Sequence, residues 1–150
     1  MTICTRNREC LFGEIKNGAV ILNDFGEIAR SEWLRTATLR SNVQLDEFII
    51  MPNHFHGIVF ISNDRRGTAR RAPTYERFGH PIAGSFPTIV RSFKSAVTNR
   101  INTIRKMLTV PVWQRNYYES VIRNERELND MRKYILNNPL QWDKDPENIP

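Results

Sequence analysis

The chain has 150 residues and a mass of 17.6 kDa, with 40% hydrophobic and 25% charged residues, the make-up of one globular domain rather than of a disordered polyelectrolyte. Twenty-two Lys plus Arg against sixteen Asp plus Glu give a net charge of +6, mostly from Arg, and forked guanidinium groups suit a phosphate-bearing partner such as nucleic acid. No window approaches 18 uncharged apolar residues and the start Met1-Thr-Ile-Cys-Thr-Arg is no signal peptide, so a membrane span is excluded. Cys4 and Cys10 are too few for a disulfide framework or a thiolate cage, and the expected compartment is the cytoplasm.

Thr2–Thr5 and Leu11–Ile15 read as short strands, with Cys4 and Cys10 as packing thiols. Asn17-Gly18 is the residue pair of a type I′ turn and predicts a hairpin that returns over Ala19–Leu22. From Phe25 to Leu39, the residues Ile28, Ala29, Trp33 and Ala37 keep a helical period, with Asn23 or Asp24 as cap. Leu45–Met51 and Phe55–Ile61 are apolar runs joined by Pro52-Asn53-His54, which predicts a tight antiparallel pair.

Ser62–Gly84 differs in kind: it holds Arg65, Arg66, Arg70, Arg71 and Arg77 among glycines and prolines, and reads as a mobile basic loop. His80 within it is incidental. A second helix is expected over Phe86–Lys106, apolar at Phe86, Val90, Phe93, Val97, Ile101 and Ile104, with Arg91, Lys94, Arg100 and Arg105 on its polar side. Val110–Trp113 and Tyr117–Val121 look extended. The last helix begins at Asn124, where Glu127 completes a capping box; Leu128, Met131 and Ile135 form its buried stripe and Pro139 ends it. The tail beyond Trp142 is polar and expected to be loose. This order predicts a single α+β domain over residues 1–150, a ferredoxin-like (RRM-like) antiparallel sheet with helices packed on one face.

Two features carry chemistry. In His54-Phe55-His56 on a strand, the imidazoles share one face while Phe55 enters the core, so the histidines can share a divalent ion. Tyr134 and Asn138, four apart on a helix, also share a face; a phenol is a competent nucleophile toward phosphorus, and an amide oxygen can complete an ion's shell. Each feature alone is as compatible with ordinary surface or boundary residues.

Met51-Pro-Asn-His-Phe-His-Gly, Val112-Trp-Gln-Arg-Asn-Tyr-Tyr-Glu, Val121-Ile-Arg-Asn-Glu and Tyr134-Ile-Leu-Asn-Asn-Pro, in this order, resemble the HUH-type single-tyrosine transposases, above all the REP-associated branch. The resemblance spans Thr2 to Trp142 and implies the HUH nuclease fold, with an Mg²⁺ or Mn²⁺ ion held by His54, His56 and Asn138. It implies that Tyr134 cleaves and rejoins single-stranded, hairpin-bearing DNA through a 5′-phosphotyrosine. Arg65, Arg66, Arg70, Arg71, Arg91, Lys94 and Arg115 would hold the DNA backbone, and Tyr117, Tyr118 and Trp113 would pack or stack on bases. No dedicated general base stands out; Glu119 and Asp130 are the acidic candidates. Compared with that branch, the chain is expected to start inside the first strand, which bears on activity more than on fold. A DNA-binding protein of the same fold that does not cut is the alternative, relaxases and replication initiators are a more distant one, and the resemblance admits a homodimer.

Overall fold

The computed structural model describes residues 1–62 and 84–148. In chain order it holds β1 (Thr2–Cys4), β2 (Gly13–Lys16), β3 (Ala19–Leu22), α1 (Asp24–Thr38), β4 (Val43–Ile50), β5 (His54–Ile61), α2 (Phe86–Arg105) and α3 (Glu125–Asn137), the last running on into a 3₁₀ turn over Asn138–Lys144. The expected basic loop, with Arg65, Arg66, Arg70, Arg71, Arg77 and His80, lies outside the described residues.

The architecture is α+β around an antiparallel sheet ordered β1-β5-β4. Gly13–Lys16 and Ala19–Leu22 form the expected hairpin as a sheet of their own, β2 with β3, and both turn residues, Asn17 (φ 53°) and Gly18 (φ 73°), take the left-handed conformation a type I′ turn requires. Outside β1, the two extended stretches after α2 run alongside it: Thr2 and Tyr118 exchange backbone bonds of 2.8 and 2.9 Å, and Cys4 and Arg6 bond to Gln114 and Val112 at 2.9 and 2.8 Å.

The period of two along β5 sorts the molecule into two layers. Phe55 points into a core with Trp33 of α1 and Phe93 of α2, their ring centroids 4.8 and 5.2 Å from Phe55. Gly57 follows because a Cβ there would stand 2.6 Å from the Phe55 ring and 3.2 Å from Trp33. His54, His56 and Ile58 point to the other face, where Ile58 packs with Leu128 and Ile135 of α3. The expected layer of helices on one face is therefore α1 and α2, and α3 covers part of the opposite face.

In β4 the pairing slips between Leu45 and Phe48, a bulge that keeps both on the aromatic core although they are three apart. The same bulge turns Asp46 toward α3, where its carboxylate accepts three bonds of 2.6–3.2 Å from the Arg132 guanidinium. Caps fall at the expected residues. Asn23 accepts from the amides of Phe25 and Gly26, and Asn124 accepts from that of Glu127, whose carboxylate reaches back to the Arg123 amide.

Two expectations need correction. The tail over residues 143–148 is not loose: the Asn53 side chain donates to the Glu147 carbonyl at 2.7 Å, the Glu147 carboxylate pairs with Arg8 and accepts from the Cys4 thiol, and Asp145 is buried. Its polar residues find partners inside the fold, which composition alone cannot reveal. Cys10 is exposed and belongs to no strand, so only Cys4 packs.

Candidate functional site

The tight turn at Pro52-Asn53 brings β5 back under β1 so that its first residues are covered on every side. His54 is fully buried and His56 nearly so, with ring centroids 4.5 Å apart. Each ring is held at Nδ1: His54 by the Asn53 side-chain oxygen at 2.8 Å, His56 by the Thr2 hydroxyl at 2.8 Å. Trp142 from the 3₁₀ turn lies flat along His54 at 6.1 Å.

Below Pro139 the chain folds back, and Asp145 arrives with Oδ2 3.8 Å from His54 Nε2. Asp145 is held by the Asn138 amide, donating to Oδ2 at 2.9 Å, and by the Glu147 backbone amide, donating to Oδ1 at 2.7 Å. Among the described residues, His54, His56 and Asp145 are the group of His, Cys, Asp or Glu side chains whose ligand atoms converge, all within 4.8 Å of one another.

Three buried atoms at this point have no hydrogen-bond partner: His54 Nε2, His56 Nε2 and Asn138 Oδ1. Leaving one buried polar atom unpaired costs about 1–3 kcal/mol, so three of them around one carboxylate make a donor set able to take a cation. Two imidazoles, a carboxylate and an amide oxygen are a donor set a divalent ion accepts, and the residues fit a metal.

Burial pushes the His54 imidazole down to about 4 against the opposing pull of Asp145, and burial together with the neighbouring His54 takes His56 to about 3. Both rings are thus neutral at physiological pH, the form that donates a lone pair to a metal.

Tyr134, four residues before Asn138 on α3, meets the group edge-on, its ring 5.2 Å from that of His56. Its phenol is raised by burial and by the Asp145 charge, against a smaller lowering by the Asn138 amide. Tyr134 is 42% exposed, so its ring both contacts the site and is reached by solvent. Glu119 and Asp130, the acidic residues singled out by sequence, are exposed; the carboxylate that acts on the phenol is Asp145.

The structure brings His54, His56, Tyr134 and Asn138 together. Sequence reasoning missed Asp145: nothing in the composition separates it from Asp143, and only the fold-back after Pro139 singles it out. Among the basic residues, Arg91 and Arg115 are exposed, whereas Lys94 has a structural task the helix pattern does not reveal, its ammonium donating to the carbonyls of Gln114 and Arg115 at 2.6 and 3.1 Å. Trp113 is core, packed on Phe12 and Phe93, and Tyr117 packs on Phe86, while Tyr118 is 68% exposed. None of the described helices is long and apolar enough to cross a membrane.

No family model matches the chain. A solved structure of a REP-associated tyrosine transposase bound to a REP hairpin superposes with a TM-score of 0.64 at 18% identity, over 94% of this chain; the chain spans 65% of the length of that transposase. An uncharacterized protein of Haemophilus influenzae is 39% identical over 148 residues, covering 97% of this chain and 81% of the relative. The chain belongs to the family of that Haemophilus protein, and it shares the fold of the solved REP-associated tyrosine transposase.

Proposed function

We propose that the protein is a metal-dependent transposase that cleaves and rejoins single-stranded DNA carrying a hairpin, with Tyr134 as nucleophile. The observation that carries this reading is the approach of a half-open phenol to buried histidines and a carboxylate whose free lone pairs converge. The hairpin-bound transposase of the same fold supports the choice of substrate.

His54, His56 and Asp145 would hold Mg²⁺ or Mn²⁺, with Asn138 Oδ1 as a further oxygen donor, and the imidazoles favour Mn²⁺. When bound, such an ion supplies positive charge that draws electron density from a phosphate and eases ionisation of a nearby phenol.

The Tyr134 oxygen attacks phosphorus in line with the leaving 3′-oxygen. The P–O3′ bond breaks, the phenolic proton passes to water, and the 3′-oxygen leaves as a hydroxyl after taking a proton. The phosphotyrosine link keeps the ester's energy, so a 3′-hydroxyl attacking it restores a phosphodiester and frees the phenol. Arg91 and Arg115, with the arginines at 65, 66, 70 and 71, would grip the backbone and make binding fall steeply with salt.

The test is to incubate the protein with Mn²⁺ and a hairpin-bearing oligonucleotide, then look for a covalent adduct that survives denaturing electrophoresis. An adduct is expected with the native chain and none with Tyr134→Phe. An adduct that persists in Tyr134→Phe, or none on any such substrate, rejects the nuclease. Salt-sensitive binding indifferent to Mn²⁺ and to His54→Ala would assign a binding module.

A further inference from the structure

We propose that Asn53 is the positioning residue of the metal centre: its one carboxamide sets which nitrogen of His54 is bare and latches the segment that brings Asp145. The proposal rests on reading His54, His56 and Asp145 as metal ligands and names what assembles them.

Asn53 is 1% exposed, and its backbone carbonyl and both side-chain polar atoms have partners. Its backbone carbonyl accepts from the Thr5 amide at 2.8 Å and the Thr5 hydroxyl at 2.9 Å, which fixes the turn. Its Nδ2 donates to the Glu147 carbonyl at 2.7 Å, and its Oδ1 lies 2.8 Å from His54 Nδ1.

These two contacts decide the proton on the ring. A carbonyl can only accept, so the nitrogen of the Asn53 amide must face Glu147 and the oxygen must face the imidazole. The oxygen in turn needs a donor, so a neutral His54 carries its proton on Nδ1. Nε2 is then left bare, and it is the atom that stands 3.8 Å from Asp145 Oδ2. A hydrogen bond at the far nitrogen is how ligand histidines are oriented.

The other arm of the amide acts on Asp145. Glu147, held at its carbonyl by Asn53, donates its own backbone amide to Asp145 Oδ1. Both ligands therefore hang from one side chain, one directly and one through a single residue. Metal binding and docking of the 142–148 segment are thus linked: an ion that needs Asp145 favours the docked tail, and the docked tail strengthens the ion by the same factor.

The test compares the native chain with Asn53→Ala and Asn53→Asp, titrating Mn²⁺ by electron paramagnetic resonance of the free ion and following hydrogen exchange over 142–148. Asn53→Ala should weaken Mn²⁺ binding about 10- to 100-fold and abolish the extra protection that Mn²⁺ gives the tail. Asn53→Asp can still accept from His54 but cannot donate to Glu147, so it should bind Mn²⁺ more tightly than the alanine variant while its tail exchanges fast in the metal-free state. If Asn53→Ala does not fold, the aspartate variant carries the test against the native chain: its metal-free tail should exchange faster than the native tail and its Mn²⁺ binding should be weaker, and native exchange together with native binding overturns the proposal.

Val97→Ala, in the α1–α2 layer, serves as a destabilised control. The proposal fails if Asn53→Ala binds Mn²⁺ within twofold of the native chain, if Mn²⁺ still protects its tail, or if Val97→Ala weakens binding equally. A native chain that binds no Mn²⁺ removes the metal site itself, an outcome distinct from these.

Discussion

The two faces of β5 are built from alternate residues of the same strand, yet they follow opposite rules. Phe55 enters a layer of rings, Trp33, Phe48, Phe93 and Trp113, whose packing needs nothing beyond itself. Among the described residues, the buried polar atoms left unpaired on that side are scattered: the indole donors Trp33 Nε1 and Trp113 Nε1, and Asn102 Oδ1 of α2. One residue away on either side, His54 and His56 are as deeply buried, but their free atoms converge on one point. The first face is stable by its own packing; the second carries a desolvation cost that a bound cation would offset. Burial by itself does not tell core from site, and the direction of the unpaired lone pairs does.

Substitutions separate the two faces. The largest effect on chemistry is expected for Tyr134→Phe, which should lower adduct formation by at least about a thousandfold while leaving the unfolding midpoint nearly unchanged. The largest effect on stability belongs to the other face: Trp33→Ala should cost about 3–5 kcal/mol in urea unfolding, with Mn²⁺ affinity of the folded fraction preserved. A variant that loses metal and stability together at Trp33 would erase the distinction.

Acid separates them next. The metal-free protein holds His54 at about 4 and His56 at about 3, whereas the unfolded chain titrates near 6.5. As the pH falls below 6.5 the unfolded state takes up protons first, so stability should decline with falling pH through this window, and Mn²⁺, which binds the neutral rings of the folded state, should add stability at pH 7. Urea midpoints at pH 7 and 5 should converge in the double variant His54→Ala, His56→Ala. If the native chain shows no such slope, the imidazoles are not buried neutral.

The smallest effect is expected away from both faces. Gly18→Ala places a side chain at φ 73° and against Leu140, and should cost about 1 kcal/mol without changing Mn²⁺ binding.

The parts that were legible in the sequence are those set by local rules. Asn17-Gly18 specifies its turn, Asn23 and Asn124 their caps, and the period of two places His54 and His56 on one face with Phe55 on the other. Tyr134 and Asn138 follow from the helical period in the same way. Asp145 did not, because its role depends on a contact between the tail and Asn53, far apart in sequence, and a polar tail looks alike whether docked or free. Lys94 misled for a related reason: a lysine on a polar helix stripe looks solvated until the carbonyls of Gln114 and Arg115 come to rest against it.

One arrangement has a wider consequence. The histidines are woven into the sheet, but Tyr134, Asn138 and Asp145 all ride on one continuous arm, α3 and the 3₁₀ turn beyond it, fastened by Arg132 to Asp46 and by Glu147 to Arg8. On the proposed reading, lifting that arm would withdraw phenol and carboxylate in a single stroke and leave only the imidazole pair behind. A nuclease built this way would have no half-armed state, and an arm joined to a DNA end would carry that end with it.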